Sequence, residues 1–543
     1  MNSFFQLTLA VAVSMLVIAL VRRFAPRLGL VDMPDPRKVH TVPIPRIGGW
    51  GITLGSLVPV LLFFRADPVV QSLLIGSVTL FVFGIWDDAR TIGHWPKFLG
   101  QLAAAAVVVY YGDLWVSRMP FVDGALPPVI GKPFTIFAIV GVINAINHSD
   151  GLDGLAGGES ILSLIALATL GNISGSALIL SIALATIGGI LGFLRYNSHP
   201  AYVFMGDSGS QVLGFILAFL VVYLTQIANT AVSAALPLLI LGVPIADILF
   251  VLYQRISAGM NWFKATSNHV HHRLLLMGFD HYETVVIIYS IQAALVVSAV
   301  LMRYESDTTV ALWYAAIIVT LFAVLAVAER RGWRVARAHG LGSALTQTMT
   351  ALKASKWLVN GPLLVIAAIT PAMMMLNALL ATRIPSDVAA AAALLSVVPA
   401  IYLFSSKLVN PALLRVAFYA TAIIPAYLLI SYPGEIPPNA ESLTTVMIVV
   451  LAAAVVLYVC FSTERRLGTT PTDYLIVCGA LALLVCGSID ANSRKVVEAV
   501  LFATVLMYAC EILVGSTAGK SSRRVLQFST LCTLLIFTVR GVL

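Results

Sequence analysis

Charge is scarce in this chain. Asp, Glu, Lys and Arg make up 11% of its 543 residues, against about 25% in soluble globular proteins. So few ionic side chains cannot cover the surface of a water-soluble protein of this length, which excludes a large soluble enzyme. Cysteine is equally thin, with five residues at 460, 478, 486, 510 and 532 and no CxxC pair. That pattern supports neither zinc nor a disulfide framework. No low-complexity tract is evident, and no repeat relates the two halves, which argues against an inverted-repeat transporter.

What is abundant is apolar. Hydrophobic residues are 59% of the chain and the mean hydropathy is +0.95. About eighteen apolar runs recur from end to end, each of roughly 17–22 residues and long enough to cross about 30 Å of hydrocarbon. The expected fold is therefore all-α: a polytopic integral membrane protein with a catalytic bundle of about eleven helices and about seven further transmembrane helices. The first run, roughly residues 4–21, has no Lys or Arg before it and Arg22 and Arg23 after it. It reads as a retained anchor with its N-terminus outside.

The formal charge of +8, from 33 Lys+Arg against 25 Asp+Glu, invites a nucleic-acid reading. The distribution argues otherwise. With loops assigned alternately, about 25 of the 33 basic residues fall on one side, the positive-inside pattern of cytoplasmic loops. The basic excess thus fixes topology and meets the lipid bilayer, with no nucleic acid as partner. Up to about residue 283, every presumed cytoplasmic loop carries Asp, Asn, His or basic clusters. Beyond that the chain is mostly plain apolar spans, except for a basic stretch at 329–356. Three regions follow: a core at 1–328, a basic cytoplasmic linker at 329–356 and a transmembrane extension at 357–543.

Five clusters with chemical potential fall at one membrane face. The fullest is Asn144-Ala-Ile-Asn147-His148-Ser-Asp150-Gly151-Leu-Asp153-Gly154. Two amides and two carboxylates at spacings of three share nearly one helical face, and the glycines let the chain leave the helix at the membrane edge. A carboxylate costs roughly 2.5–3.5 kcal/mol at the centre of a bilayer helix, so such stripes usually have a task. Oxygen-rich clusters suit Mg²⁺ and phosphate-bearing substrates. Asp87-Asp88 ends another span, where one carboxylate can meet a metal or a proton while its neighbour stays ionised. The loop holding Arg37, Lys38, His40, Pro43, Pro45 and Arg46 offers cations to pyrophosphate. Phe204-Met-Gly206-Asp207-Ser-Gly-Ser210 would set Asp207 near a helix start. Asn268-His269-Val-His271-His272-Arg273 offers three imidazoles to a metal or to phosphate oxygens.

Each cluster also has a bland reading: headgroup binding for the basic loop, a solvated helix end for Asp87-Asp88, an interhelical network for the stripe, an N-cap for Asp207, an ordinary loop for the histidines. The intramembrane Asp247 is balanced between interhelical bonding and support of the site. His199, Asp113 and Glu159 read as ordinary loop residues.

Taken in order, RKVHTVPIPRIGG, GIWDD, NAINHSDGLDGLAGG, FMGDSGS and HVHHRLLLMGF resemble the polyprenyl-phosphate N-acetylhexosamine-1-phosphate transferase family, glycosyltransferase family 4, over roughly residues 1–328. The HxHHR form is closer to the N-acetylhexosamine branch than to the muramoyl-pentapeptide branch. Thr91 stands where the family often has an acidic residue, so only Asp87 and Asp88 carry over from that motif. The resemblance implies a Mg²⁺-dependent enzyme (Mn²⁺ being the alternative ion) in the bacterial inner membrane. It would move a sugar-1-phosphate from a UDP-sugar to undecaprenyl phosphate, release UMP and start a surface polysaccharide such as O-antigen or teichoic acid. The implied catalytic residues are Asp87, Asp88, Asp150, Asp153, His269, His271 and His272. Arg37, Lys38, His40, Asn144, Asn147 and Arg273 would bind substrate, and Asp207 with Asp150 the metal. The active site would face the cytoplasm. A homodimer and polysaccharide-assembly partners of the extension are further expectations. The alternatives are a muramoyl-pentapeptide phosphotransferase-like enzyme and a lipid-linked sugar transporter or flippase. A CDP-alcohol-type phosphotransferase lacks its D-G-x-x-A-R array here.

Overall fold

The computed structural model describes residues 3–34, 42–64, 67–260, 268–335, 356–404, 411–431, 438–461, 502, 505–515 and 520–542. The protein is an all-α, multi-pass membrane protein. Ten described helices are long and apolar enough to cross a bilayer, and four shorter apolar helices accompany them. The residues from Leu9 to Val335 form one compact unit, and residues 3–8 at the start of the first helix and the described residues from 356 onward belong to a second.

The first unit runs α1 (Ser3–Val21), α2 (Gly48–Phe64), α3 (Pro68–Ala89), α4 (His94–Ala106), α5 (Pro128–Ser149), α6 (Leu155–Ile173), α7 (Ala177–Asn197), α8 (Asp207–Tyr223), α9 (Leu236–Ile240), α10 (Gly242–Ser257), α11 (Val270–Leu276), α12 (His281–Leu301) and α13 (Asp307–Arg330). Local signals set the ends. Asp67 accepts from the Val69 N–H with Pro68 in the first helical position, where a missing N–H costs nothing. Asp280 and Glu283 close a capping box at α12. The polar stripe does not stay on a helix: α5 ends at Ser149, so Asp150 and Asp153 lie in the turn before α6. Gly154 makes that turn at φ +81°, a conformation open to residues without Cβ.

The centre of the unit is α8. It packs on α2, α3 and α5, and every residue from Ser208 to Val222 is buried. A short two-stranded pair, Val31–Asp32 with Ile44–Pro45, leads into α2. From there the chain is laced to the segment before α8: Phe204 N–H donates to the Pro45 carbonyl, Gly48 N–H to Phe204 and Gly49 N–H to Met205, at 2.8–2.9 Å. Two motifs far apart in sequence thus form one ladder. Arg37, Lys38 and His40 lie outside the described residues.

In hydrocarbon a helix break leaves backbone groups that protein must satisfy. The break between α9 and α10 is served by Gln292 of α12. Its amide donates to the Ile240 carbonyl (2.9 Å) and Ser163 Oγ (3.1 Å), while its carbonyl accepts from the Val243 N–H (3.0 Å). Glu159, expected in a loop, lies in α6 and is buried. In the second unit a core cluster includes Met373, Phe418, Tyr458, Leu506 and Ile512, and Arg415 pairs with Glu511 at 3.0 Å. Replacing Gln292 with Leu strands the buried Val243 N–H, at about 1–3 kcal/mol, while the Ile240 carbonyl keeps the Ser163 hydroxyl at 2.7 Å. The expected outcome is a lower unfolding temperature of the detergent-solubilised protein, read by a thermal shift on size exclusion. An unchanged melting temperature would contradict this role.

Candidate active site

The site begins where α8 begins. The first N–H groups of a helix lack partners inside it, and a carboxylate from α3 supplies them. Asp88 Oδ1 accepts from Asp207 N–H (2.8 Å), and Oδ2 accepts from Ser208 N–H (3.1 Å) and Ser208 Oγ (2.7 Å). Asp88 is buried and wholly occupied as a cap in trans. The approach is close enough that a Cβ on Gly84 would stand 2.4 Å from Ser208 Cα. Gly206, at φ +73°, turns under the carboxylate, where a Cβ would meet Asp88 Oδ2 at 2.6 Å.

Asp207, the first residue of α8, is held in front of this cap. Lys97 of α4 places its ammonium 2.5 Å from Asp207 Oδ2 and 2.6 Å from Asp87 Oδ2, bridging the two carboxylates. Asp87 Oδ1 accepts from Ile92 N–H at 2.9 Å. Asn147 donates to Asp207 Oδ1 (3.2 Å) and Ser210 Oγ (2.8 Å). Gln211 donates to Asp207 Oδ2 at 3.2 Å and accepts from Gln101 at 3.3 Å; the Gln101 carbonyl accepts from Asn144 at 2.8 Å. Asn147 therefore orients Asp207 directly, and Asn144 does so through a relay of amides. The ends of α3 and α5 and the starts of α4 and α8 meet here.

In the turn after α5 the two carboxylates part company. Asp150 accepts no hydrogen bond among the described residues. Burial, together with the nearby Asp207, Asp88 and Asp153, pushes its carboxyl up to about 7. Asp153 is committed elsewhere, accepting from the Ala201 N–H (3.0 Å) and pairing with His199 Nδ1 (2.7 Å). The His199 ring stacks on His281 at 4.1 Å, and His281 Nε2 lies 3.1 Å from the Asp153 carbonyl.

The histidine segment forms a second wall. His269 is held by Asp247 of α10 at 2.6 Å and stacks on His148 at 5.2 Å; His271 and His272 lie 4.2 Å apart, ring to ring. Burial, then the neighbouring His272, brings His271 down to about 3. His272 is also lowered, by burial and then by His269. Both rings are therefore neutral near pH 7, suited to shaping a pocket or donating an N–H rather than to carrying charge. His148 is within electrostatic range of both Asp207 and Asp247 and joins the walls. Arg273 turns away from the carboxylates into a two-pronged pair with Glu329 (2.6 and 2.8 Å), over Phe250 and Phe322.

Asp207, Asp87 and the uncommitted Asp150 offer only oxygen, the donor set of a hard cation such as Mg²⁺ or Mn²⁺. A cation already balances two of these carboxylates as Lys97. Sequence reading missed Lys97, Gln101 and Gln211. The available signal was the position of Lys97 in the first turn of an otherwise apolar helix, where a lone charge needs a partner.

The model of glycosyl transferase family 4 matches residues 70–225. The chain is 34% identical over 292 residues to a probable undecaprenyl-phosphate N-acetylglucosaminyl 1-phosphate transferase of Bacillus subtilis, covering 53% of this chain and 82% of the relative. It is 30% identical over 331 residues to the undecaprenyl-phosphate alpha-N-acetylglucosaminyl 1-phosphate transferase of Escherichia coli K12, covering 59% and 89%. A decaprenyl-phosphate N-acetylglucosaminephosphotransferase of Mycobacterium tuberculosis is 32% identical over 347 residues, covering 58% and 85%.

A ligand that binds only the folded state at a hundred times its Kd adds about 2.7 kcal/mol. Mn²⁺ should therefore raise the melting temperature of the wild type and broaden its EPR signal on binding. Asp207→Asn should lose both effects. A full Mn²⁺ response in that variant would remove Asp207 from the metal set.

Proposed function

The chain belongs to glycosyl transferase family 4, and from that membership we propose that it transfers an N-acetylhexosamine-1-phosphate to a polyprenyl phosphate. The donor is a UDP-sugar, with UDP-GlcNAc first in line from the names of the relatives, and the acceptor is undecaprenyl phosphate. An oxygen of the lipid phosphate attacks the β-phosphorus of the donor. The bond between the β-phosphorus and the bridging oxygen breaks, UMP leaves, and the sugar ends on a lipid diphosphate that starts a surface polysaccharide.

The observation that carries this reading is the meeting of Asp87, Asp88 and Asp207 at the N-terminus of α8, with Lys97 bridging Asp87 and Asp207 and Asp150 within electrostatic range. Phosphoryl transfer asks for positioning and charge neutralisation more than for covalent help. The N-terminal end of α8 is electropositive, and Lys97 adds a cation that donates to a phosphate oxygen once substrate displaces part of its carboxylate contact. Asp88 keeps the first turn of α8 in place. Asp87 is the residue assigned to the lipid phosphate, and Asn147 and Gln211 hold Asp207 in one orientation. A divalent cation on Asp207 and Asp150, when bound, supplies neutralisation of the donor diphosphate. His269, His271 and His272 line the sugar-phosphate side. The basic residues beside this end, Arg22, Arg23, Arg27 and Arg255 among them, support a cytoplasm-facing site in a bacterial inner membrane.

Membranes containing the protein, given radiolabelled UDP-GlcNAc and undecaprenyl phosphate, should yield a labelled lipid and UMP in equal amounts. UMP without labelled lipid would contradict the transfer. Asp207→Asn should lower turnover by about 10²-fold or more, with the protein still folded on size exclusion. If the labelled lipid forms from another UDP-N-acetylhexosamine and not from UDP-GlcNAc, the reaction class stands and the sugar assignment falls.

A further inference from the structure

We propose that Asp247 is the positioning residue that fixes which nitrogen of His269 faces the substrate phosphates. This rests on the transferase reading above. Asp247 lies in α10 within Gly-Val-Pro-Ile-Ala-Asp247-Ile-Leu-Phe, an apolar run where a carboxylate is costly. It is buried, and so is His269. Both of its oxygens go to one short segment. Oδ2 sits 2.6 Å from His269 Nδ1, and Oδ1 accepts from the Val270 N–H at 2.8 Å. A generic interhelical bond would need only one of these contacts. The pair of contacts fixes both the ring of His269 and the first turn of α11.

The chemistry of the contact chooses the tautomer. An ionised carboxylate accepts only, so His269 Nδ1 carries the proton and donates it, leaving Nε2 as the atom available to a ligand. The His269 ring lies against His148, 24° from parallel. His148 is one residue from Asn147, which holds Asp207. His148 is also within electrostatic range of Asp207, so the His269 ring stacks on the wall that meets Asp207 while its Nδ1 is held from behind by Asp247. His148, His271 and His272 surround the pair, and Arg255 and Glu159 are the other ionisable groups facing it. Asp247 itself touches no substrate and acts through His269.

Asparagine is the informative replacement. If its oxygen keeps the Val270 N–H, its NH₂ faces Nδ1 and obliges that nitrogen to accept, moving the ring proton to Nε2. Size, local fold and most packing are retained. The purified full-length protein would be compared as wild type, Asp247→Asn, Asp247→Glu, His269→Ala and the Asp247→Asn/His269→Ala double variant. Rates would be normalised to folded protein by size exclusion and melting temperature. The expected result is a fall in kcat on the order of 10²-fold for Asp247→Asn, with KM for the UDP-sugar within about threefold, and partial recovery in Asp247→Glu. The double variant should be no slower than His269→Ala, because the carboxylate acts only through that ring.

Multiplicative losses in the double variant, or a kcat per folded molecule equal to wild type in Asp247→Asn, would overturn the proposal. ¹⁵N NMR of histidine-labelled protein gives a readout apart from turnover. The His269 signal, identified by its absence in His269→Ala, should report a proton on Nδ1 in the wild type and on Nε2 in Asp247→Asn. A wild type with the expected tautomer and no transfer would refute the transferase reading alone. A wild type that transfers with the proton on Nε2 would refute the role of Asp247 alone.

Discussion

One buried carboxylate organises this site: Asp88 at the end of α3, capping α8 from outside. A helix that starts inside a bundle exposes N–H groups that neither lipid nor water can serve, and the capping residue here comes from another helix. That arrangement ties the axial position of α8 to α3. With α8 fixed, Asp207 projects from its first turn, and Gln211, one turn further on, reaches back to the same carboxylate. The close approach at Gly84 follows from the same contact, since any side chain there would separate Asp88 from the donors it serves.

The cost of the arrangement is crowded negative charge. Asp87, Asp88, Asp150, Asp153 and Asp207 gather within a few turns, and burial makes their repulsion stronger than in water. The structure meets this in three ways. Asp88 is given three hydrogen-bond donors, Asp87 and Asp207 share Lys97, and Asp153 is drawn off towards His199. Asp150 accepts no hydrogen bond among the described residues, and burial with the carboxylates around it raises its proton affinity. The same logic appears at Asp247, where a carboxylate in an apolar helix is matched to two donors of the histidine segment. Activity and stability thus make opposing demands on these groups: Asp88 is bonded to the helix start that it caps, whereas Asp87 and Asp207 share a side-chain cation that a ligand can displace.

Most of the fold was legible in the sequence because length and hydropathy decide what crosses a bilayer. The shared face of the motifs followed from helix alternation, and the structure joins Asp87, Asp88, Asn147 and Asp207 at one point. Less legible were contacts between residues distant in sequence. Lys97 belongs to no motif, and its value lies in the two carboxylates that α3 and α8 bring to it. Asp153 looks like a twin of Asp150 at a spacing of three, but the helix stops at Ser149, and beyond that point spacing no longer predicts direction. Arg273 sits beside three histidines, and its guanidinium is taken by Glu329, 56 positions away. His199 read as a bland loop residue because its partners come from the distant turn that holds Asp153 and from His281 at the start of α12. For Asp247 the sequence offered two readings, and the contacts with His269 and Val270 favour support of the site.

Asp207 and Asp150, not the nearby Asp153, His199 and His281, are the metal-binding side of the site proposed above. The three latter residues bring their ligand atoms within 4.8 Å of one another, so they compete with Asp207 and Asp150 for a divalent ion. The direct measurement is the anomalous scattering of Mn²⁺ in crystals of the protein with UDP-GlcNAc. A peak at about 2.1 Å from a carboxylate oxygen of Asp207, at the start of α8, is the predicted result. A peak between His199 and His281 with none at Asp207 would contradict it.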